Sequence, residues 1–248
     1  MEAPVTSPAV CSDLAPRGTV RVGINYGNPV LARKDPATGN LGGVAVDLAR
    51  ELGARTGLPV DLVGFESAGK MVEAAQNDAW DIAFLAVDPA REREISFTAP
   101  YIEIEGTYLV PRESPLATIA DVDRAGVRVG VSAGSAYDLF LRRSLHNARL
   151  VGAPNPNAAF ELLVAGTVDV VAGVRQHLVA NAGKLPGARV HDGRFMAIQQ
   201  ALGIRKDRDT GLNYLREFIE DVKASGFVAQ AIAKAGVPNV SVAPRAAV

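Results

Sequence analysis

Strand and helix patterns alternate along this chain, and the alternation runs through the chain twice. Residues 19–24 are β-branched and alternating, which predicts a first strand. An apolar stripe over residues 44–52 then predicts a helix that a following glycine ends. A second strand over residues 59–63, a short helix over 70–76 and a buried strand over 81–87 complete the unit. This βαβαβ order implies a parallel sheet with helices on both faces.

The second unit begins at the strand predicted for residues 127–131. Asn155 followed by Pro156 marks the start of a helix, because Asn caps a helix and Pro suits its first turn. Residues 168–172 read as another buried strand. A strand near residues 200–204 and the amphipathic helix after it return the chain to the first unit.

The predicted fold class is therefore α/β, with two Rossmann-like lobes joined by a two-segment hinge. The first lobe comprises residues 18–107 plus 200–240, and the second comprises residues 111–195. Each lobe is expected to carry its own sheet. Segments near residues 106–111 and 196–201 cross between the lobes, and closure of the lobes around a ligand is the expected motion.

Both ends of the chain are rich in small residues and proline. Residues 1–17 are expected to form a flexible arm, and residues 241–248 a flexible tail. Cys11 lies in the arm, but residues 1–10 contain neither a basic nor an apolar leader region. A lipid anchor at Cys11 is therefore not expected.

The composition argues against several classes of function. The net charge of −1 gives no electrostatic basis for binding nucleic acid. The three histidines lack the spacing of metal ligands, and no phosphate loop or nucleophile motif is present in the sequence. No metal and no cofactor are therefore expected.

A stretch from Asp81 to Pro111 holds the clearest candidate for a binding residue. A buried strand ends in Asp88-Pro89-Ala90-Arg91, and ligands of open α/β sheets bind at this end of the strands. Arg91 therefore lies where its rigid set of donors can hold an anion. The alternative is that Arg91 belongs to a solvated charge run with the residues after it.

These residues resemble the extracellular solute-binding proteins of ABC transporters, in particular the family that binds polar amino acids. The P-x-R of residues 89–91 and the F-T-x-P-Y of residues 97–101 match the family pattern. Further matches are G-x-x-V-D-L-A-x-E-L at residues 43–52, V-R-V-G-V at 127–131 and K-A-S-G-F at 223–227. The resemblance covers residues 19–236 and implies a type II periplasmic-binding-protein fold.

The resemblance assigns roles to some positions and breaks down at others. It places Arg91 on the residue that holds the ligand carboxylate, with Ser135 and Ala136 at the helix start of the second lobe. The Ser or Thr expected five residues before the arginine is Ala86, and the aspartate expected to hold an ammonium is Val174. The resemblance thus predicts a site for an anion that lacks the usual partner for a cation.

Neutral hydrogen-bonding groups and one more cation occupy neighbouring positions. They suit a small organic acid, either an amino acid or a related carboxylate. The candidate contacts are Asn25, Tyr26, Asn28, Arg175 and Gln176. Glu66, Glu103 and Glu105 are possible substitutes for the missing aspartate. Each candidate could instead have a purely structural role, as a turn residue, a helix cap or a surface side chain.

The family implies a function for the whole chain. It predicts a monomeric, non-enzymatic solute-binding protein that delivers a small anionic ligand to the membrane permease of an ABC importer. The expected location is the periplasm, or the cytoplasm if the native protein starts at Met1. One alternative is an enzyme on the same fold that resembles cyclohexadienyl (arogenate) dehydratase, which needs an acid in the pocket as a proton donor. A ligand-sensing module of a receptor is a further alternative.

Overall fold

A computed structural model describes residues 6–246 of the chain. Its strands are β1 Val20–Asn25, β2 Arg33–Lys34, β3 Leu41–Gly42, β4 Val60–Phe65, β5 Ile82–Ala86, β6 Ile95–Phe97, β7 Ile102–Val110, β8 Arg128–Ser132, β9 Arg149–Ala153, β10 Val170–Val174, β11 Arg189–Val190, β12 Met196–Arg205 and β13 Ser241–Val242. Its helices are α1 Pro8–Leu14, α2 Val44–Thr56, α3 Ala68–Ala75, α4 Ala136–Ser144, α5 Pro156–Val164, α6 Arg175–Ala182, α7 Asp209–Ala224 and α8 Phe227–Ala235. Short 3₁₀ turns cover Arg91–Arg93 and Ile119–Val122.

The strands form two parallel groups, as the βαβαβ patterns predict. In the first group β1 pairs with β4 and β5, and in the second β8 pairs with β9 and β10, all in parallel. We call the first group with α2 and α3 the first lobe, and the second group with α4, α5 and α6 the second lobe. The predicted helix start at Asn155-Pro156 is confirmed. The prediction that a glycine ends helix α2 is also confirmed, with Gly57 as that residue.

The expectation of two separate sheets is wrong. Hydrogen bonds run through the strand order β4-β1-β5-β12-β7-β10-β8-β9. The connection comes from β7 and β12, which are long, antiparallel to each other and shared between the groups. These strands contain both of the predicted crossing segments. Because the hydrogen-bonded ladder is continuous, strand pairing alone does not mark a boundary between the lobes. The residue limits of the lobes therefore remain a prediction.

An arginine–aspartate clamp occurs at the same place in both lobes. Arg21 in β1 binds Asp81 through its backbone N–H and its side chain, with Nη2 2.8 Å from Oδ1. Arg128 in β8 makes the same three bonds to Asp169, with Nη2 2.7 Å from Oδ1. In each case the aspartate immediately precedes the neighbouring parallel strand. The two V-R-V-G segments therefore have equivalent structural roles, which supports the reading of two similar units.

The predicted flexible arm is ordered over its described part, and this corrects the prediction for residues 6–17. Ser7 caps helix α1, and Leu14 is fully buried. Helix α1 lies against α7, where Gly211 N donates to Asp13 Oδ2 at 2.8 Å. Cys11 is half-buried in this helix. Residues 1–5 of the predicted arm lie outside the described residues.

Replacing Leu14 by alanine is expected to destabilise the protein by about 2–5 kcal/mol, because the change leaves a cavity between α1 and α7. The measurement is the urea midpoint of equilibrium unfolding. Ser12→Ala is the control, since Ser12 lies in the same helix but is exposed. Equal stability of the Leu14 variant and the wild type would mean that α1 does not contribute to the folded core.

The predicted C-terminal tail is also ordered in its described part. Strand β13 pairs with β7, and Lys223 Nζ donates to the carbonyl of Pro244 at 2.7 Å. These contacts correct the expectation of flexibility for residues 241–246, while 247–248 lie outside the described residues. Across residues 6–246, no helix has the length and apolar character needed to cross a membrane.

Candidate functional site

A narrow cavity lies where the carboxyl ends of the parallel strands from both lobes meet. Its walls include the last residues of β1, β5, β8 and β10. This is the edge at which α/β sheets bind ligands. The cavity is small, with about 40 Å³ of space for the centre of a water-sized sphere.

Helix starts surround the cavity. Residues at or within three positions of the first residue of α3, α4, α5 and α6 line it: Ala68, Ser135, Ala136, Tyr137, Pro156 and His177. Ser135 caps α4 by accepting a hydrogen bond from Asp138 N at 3.1 Å. Helix N-termini present free N–H groups and partial positive charge. These helix starts therefore add positive electrostatic potential to the cavity wall.

Arg91 is the charged residue of the cavity wall. Its side chain is buried, with Nη1 donating to the carbonyl of Ala86 at 2.7 Å and Nη2 to that of Gly134 at 2.9 Å. Burial lowers the pKa of Arg91 to about 10, although the charge of Asp88 opposes this, so the guanidinium remains charged at neutral pH. Its Nε has no hydrogen-bond partner within residues 6–246. The alternative of a solvated charge run does not hold for Arg91.

Several contacts join the two sides of the cleft. The bond from Arg91 to Gly134 joins the first lobe to the second. Arg143 on α4 forms an ion pair with the buried Asp88, with Nη2 2.7 Å from Oδ2. Gly69 on α3 packs directly on the backbone of Ala133 and Gly134. The two sides of the cleft are therefore joined by an ion pair, a hydrogen bond and close backbone contact.

Six of the nine predicted site residues line the cavity. They are Asn25, Asn28, Ala86, Arg91, Ser135 and Ala136. Val174, which stands in place of the aspartate of the family pattern, also lines it. That these residues contact a ligand remains a prediction.

Arg175 and Gln176 do not line the cavity, contrary to expectation. The Arg175 guanidinium pairs with Glu105, with Nε 2.5 Å from Oε2, and donates to the carbonyl of His191. Gln176 Nε2 donates to the carbonyls of Pro238 and Asn239 at 3.0 and 3.2 Å. Both residues directly follow the end of β10. The first turn of α6 then directs their side chains towards the crossing strands and the C-terminal segment.

Tyr26 is also absent from the cavity wall. Its ring is half-buried beside Gly64, and Lys34 Nζ lies 5.4 Å from the ring centroid. Tyr26 therefore packs on the outer part of the first lobe.

The proposed substitutes for the missing aspartate are engaged elsewhere. Glu66 pairs with Lys70, Glu103 accepts from Gln199 Nε2 at 2.6 Å, and Glu105 pairs with Arg175. Among the described residues, no Asp or Glu lines the cavity. Nor does that part of the chain contain a cluster of three or more His, Cys, Asp or Glu side chains able to hold a metal ion.

Four polar residues of the wall were missed from the sequence: Ser132, Tyr137, His177 and Gln200. Ser132 directly follows the strand predicted for residues 127–131, a position that could have been recognised. Gln200 is a polar residue in an apolar crossing strand, which is a weaker signal. His177 and Tyr137 reach the cavity only because their helices start beside it, and nothing local in the sequence indicates that orientation.

The half-buried His177 and the buried His191 are expected to make the stability of the fold depend on pH. Burial lowers the pKa of His177, against a hydrogen bond with the backbone of Pro156, and burial likewise lowers the pKa of His191. The unfolded chain therefore takes up protons first as the pH falls. We expect the melting temperature to keep its highest value above about pH 6.5. It should decrease progressively as the pH falls below that value, at a higher pH than the one at which the carboxylates titrate.

The test is a series of melting curves between about pH 7 and about pH 5. A variant with His177→Gln and His191→Gln is expected to show a smaller decrease. His146→Gln, at an exposed histidine, is the control and should follow the wild type. A decrease of the same size in the double variant would assign the effect to other groups.

Comparison with known proteins identifies the family. Residues 20–236 match the model of the bacterial extracellular solute-binding proteins, family 3. The chain belongs to this family. The solute receptor for L-cysteine of Neisseria gonorrhoeae has the same mixed α/β fold with a curled sheet, with a TM-score of 0.80 at 22% identity, over 96% of this chain and 100% of that one. The predicted type II periplasmic-binding-protein fold is thus confirmed for this family 3 protein.

Two relatives of this family 3 protein differ in their roles. The virulence sensor protein BvgS of Bordetella pertussis is 30% identical over 131 residues, which are 52% of this chain and 10% of the sensor. The cyclohexadienyl dehydratase of Pseudomonas aeruginosa is 28% identical over 137 residues, which are 54% of this chain and 51% of the enzyme. The matches thus span about a tenth and about half of the length of these proteins.

Proposed function

We propose that the protein is the solute-binding component of an ABC importer and takes a small carboxylate-bearing molecule into the cavity between its lobes. It acts as a monomer outside the cytoplasm and presents the closed, liganded form to the membrane permease. Membership of family 3 supports the binding role. The carboxylate is inferred from the site itself.

The observation that carries this proposal is the state of Arg91. A charged guanidinium is buried in the cavity wall with Nε unpartnered among the described residues, and no acid of the described residues lines that wall. The nearby Asp88 is already paired with Arg143, so Arg91 has no ion-pair partner of its own. Burying a charge without a full partner is costly, so the site favours a ligand that supplies a negative group. The surrounding helix N-termini add to the same preference.

The remaining wall argues against a free ammonium on the ligand. Val174 stands where the family pattern has an aspartate, and it is buried against the cavity. The other polar groups of the wall, such as Asn25, Asn28 and Gln200, are neutral. A buried ammonium there would lack a counter-charge. The ligand therefore carries one carboxylate and otherwise neutral groups.

Ligand-induced closure follows from the position of the contacts. Arg91 lies in the cavity wall on the side of the first lobe, and it donates a hydrogen bond to the carbonyl of Gly134 in the second. A carboxylate bound there contacts Arg91 and the N-terminal end of α4 at once. Such a ligand binds the closed form better than the open form, which is the condition for driving closure.

A thermal-shift screen tests the proposal. The panel contains small plain, hydroxy, keto and amino carboxylic acids, each beside its neutral primary amide. At 100 times its dissociation constant, a ligand is expected to stabilise the protein by about 2.7 kcal/mol. Acids should shift the melt and amides should not. A panel in which no acid binds, or in which amides bind equally well, would contradict the proposal.

The similarity to cyclohexadienyl dehydratase makes an enzyme the competing function. Such a reaction needs an acid placed to protonate the leaving hydroxyl. Among the described residues the cavity wall offers no carboxylic acid for this role. Incubation with a cyclohexadienyl acid, followed by its ultraviolet spectrum, is expected to show no turnover. Aromatisation at a rate above the uncatalysed one would favour the enzyme.

A further inference from the structure

Gln200 is one of three residues of the cavity wall, with Arg91 and Ser132, that have a buried polar atom without a partner in the described part of the chain. Gln200 lies on the crossing strand β12, is 4% exposed and lines the cavity. Its Oε1 has no hydrogen-bond partner in the part of the chain that the structure describes. A buried acceptor left in this state costs about 1–3 kcal/mol. A ligand that donates a hydrogen bond to Gln200 would recover this energy.

The strand register places Gln200 beside the anion site. Gln200 is paired directly with Ala86 across the antiparallel β5–β12 ladder, so their side chains share a face of the sheet. Directly paired residues have Cα atoms about 4.5–5.5 Å apart. Arg91 donates to the carbonyl of this same Ala86 at 2.7 Å. When the ligand carboxylate binds Arg91, the ligand carbon next to that carboxylate is therefore directed towards the Gln200 carboxamide.

The size of residue 86 leaves room for this contact. Alanine stands there in place of the Ser or Thr of the family pattern, so it contributes no hydroxyl to the ligand. The carboxamide of Gln200 is the polar group on the same face of the adjacent strand. It is uncharged, so it satisfies an O–H donor fully but cannot balance the charge of a buried ammonium.

We propose that Gln200 is a specificity-determining residue that accepts a hydrogen bond from a hydroxyl next to the ligand carboxylate. The class of ligand favoured is then the 2-hydroxy carboxylates, over both plain and 2-amino carboxylates. This inference rests on the proposed function, because it requires a carboxylate on Arg91. It adds a second recognised group on the ligand, the hydroxyl, and assigns Gln200 as the residue that binds it.

The test uses butanoate, 2-hydroxybutanoate and 2-aminobutanoate in isothermal titration calorimetry. The wild type is expected to bind 2-hydroxybutanoate about tenfold or more tightly than either other acid, as one buried hydrogen bond allows. Gln200→Met keeps the length of the side chain but removes its hydrogen bonds. It should lose the preference for the hydroxy acid while its affinity for butanoate stays near that of the wild type.

Two further variants sharpen the result. Gln200→Glu supplies a charged acceptor and should shift the ratio of affinities towards 2-aminobutanoate by about tenfold relative to 2-hydroxybutanoate. Gln199→Met is the matched control, because the neighbouring residue of the strand points to the opposite face. It should leave all ratios as in the wild type.

The possible failures are distinguishable. An unchanged hydroxy preference in Gln200→Met would overturn the role of Gln200, and the proposed function would stand. An equal loss of all three acids in that variant would also overturn it, since Gln200 would then hold the carboxylate itself. Absence of binding of all three acids by the wild type would count against both the proposed function and this inference.

Discussion

Replacing Arg91 by alanine is expected to weaken binding of a carboxylate ligand by about 2–5 kcal/mol, because the buried carboxylate would lose its charged partner. Arg91→Lys should recover only part of that loss, since lysine lacks the planar pair of donors that holds both oxygens. Titration calorimetry with any acid that stabilises the wild type in the thermal screen provides the measurement. Circular dichroism checks that each variant is folded.

The control for Arg91 lies two residues further along the same 3₁₀ turn. Arg93 is exposed, so Arg93→Ala removes an equal charge from the same region without touching the cavity. It is expected to change the affinity only slightly, through long-range attraction that salt screens. Similar losses in the two variants would show that general charge, and not a specific contact, attracts the ligand.

Gly69→Ala is expected to weaken ligand binding by about 1–3 kcal/mol, because it overpacks the contact between the lobes. A Cβ at residue 69 would lie 2.4 Å from the carbonyl oxygen of Ala133, so the lobes could not approach as closely as they do here. Alanine favours a helix more than glycine does, so α3 itself should not be weakened. The measurements are calorimetry and small-angle scattering, in which ligand-induced compaction should decrease.

Gly183→Ala serves as the control for Gly69. A Cβ at residue 183 would meet no atom within 4 Å, and Gly183 has an ordinary helical φ of −65°. This variant should bind and compact like the wild type. If Gly69→Ala also bound like the wild type, the contact between Gly69 and the loop at Ala133 would not belong to the liganded state.

Much of the fold could be predicted because the signals are local. The apolar stripe of α2, the Asn155-Pro156 helix start and the buried run of β5 each depend on residues that are neighbours in the chain. Their order then limits the topology to parallel units with helices between them. The same locality made Arg91 predictable, since a polar residue at the end of a buried strand reaches the ligand-binding edge.

The sequence could not predict contacts that join distant parts of the chain. Whether residues 8–14 are a loose arm or a packed helix depends on the surface of α7, about 200 residues later, which buries Leu14. The prediction of two separate sheets was wrong for a similar reason. The pairing of β7 with β12 joins residues almost a hundred positions apart, and neither strand shows its partner in its own pattern.

The sequence by itself therefore determined the α/β class, the repeated unit, the family and the position of Arg91, the arginine proposed to bind the ligand carboxylate. The tertiary structure alone decided which further neutral side chains, such as Tyr137, His177 and Gln200, surround it. Arg175 follows a strand end as Arg91 does, yet it turns to Glu105, while Gln200 reaches the cavity from a strand with no such signal. The physical reason is that the direction of a side chain is set by strand register and by the phase of a helix start. Those depend on packing between segments far apart in the chain.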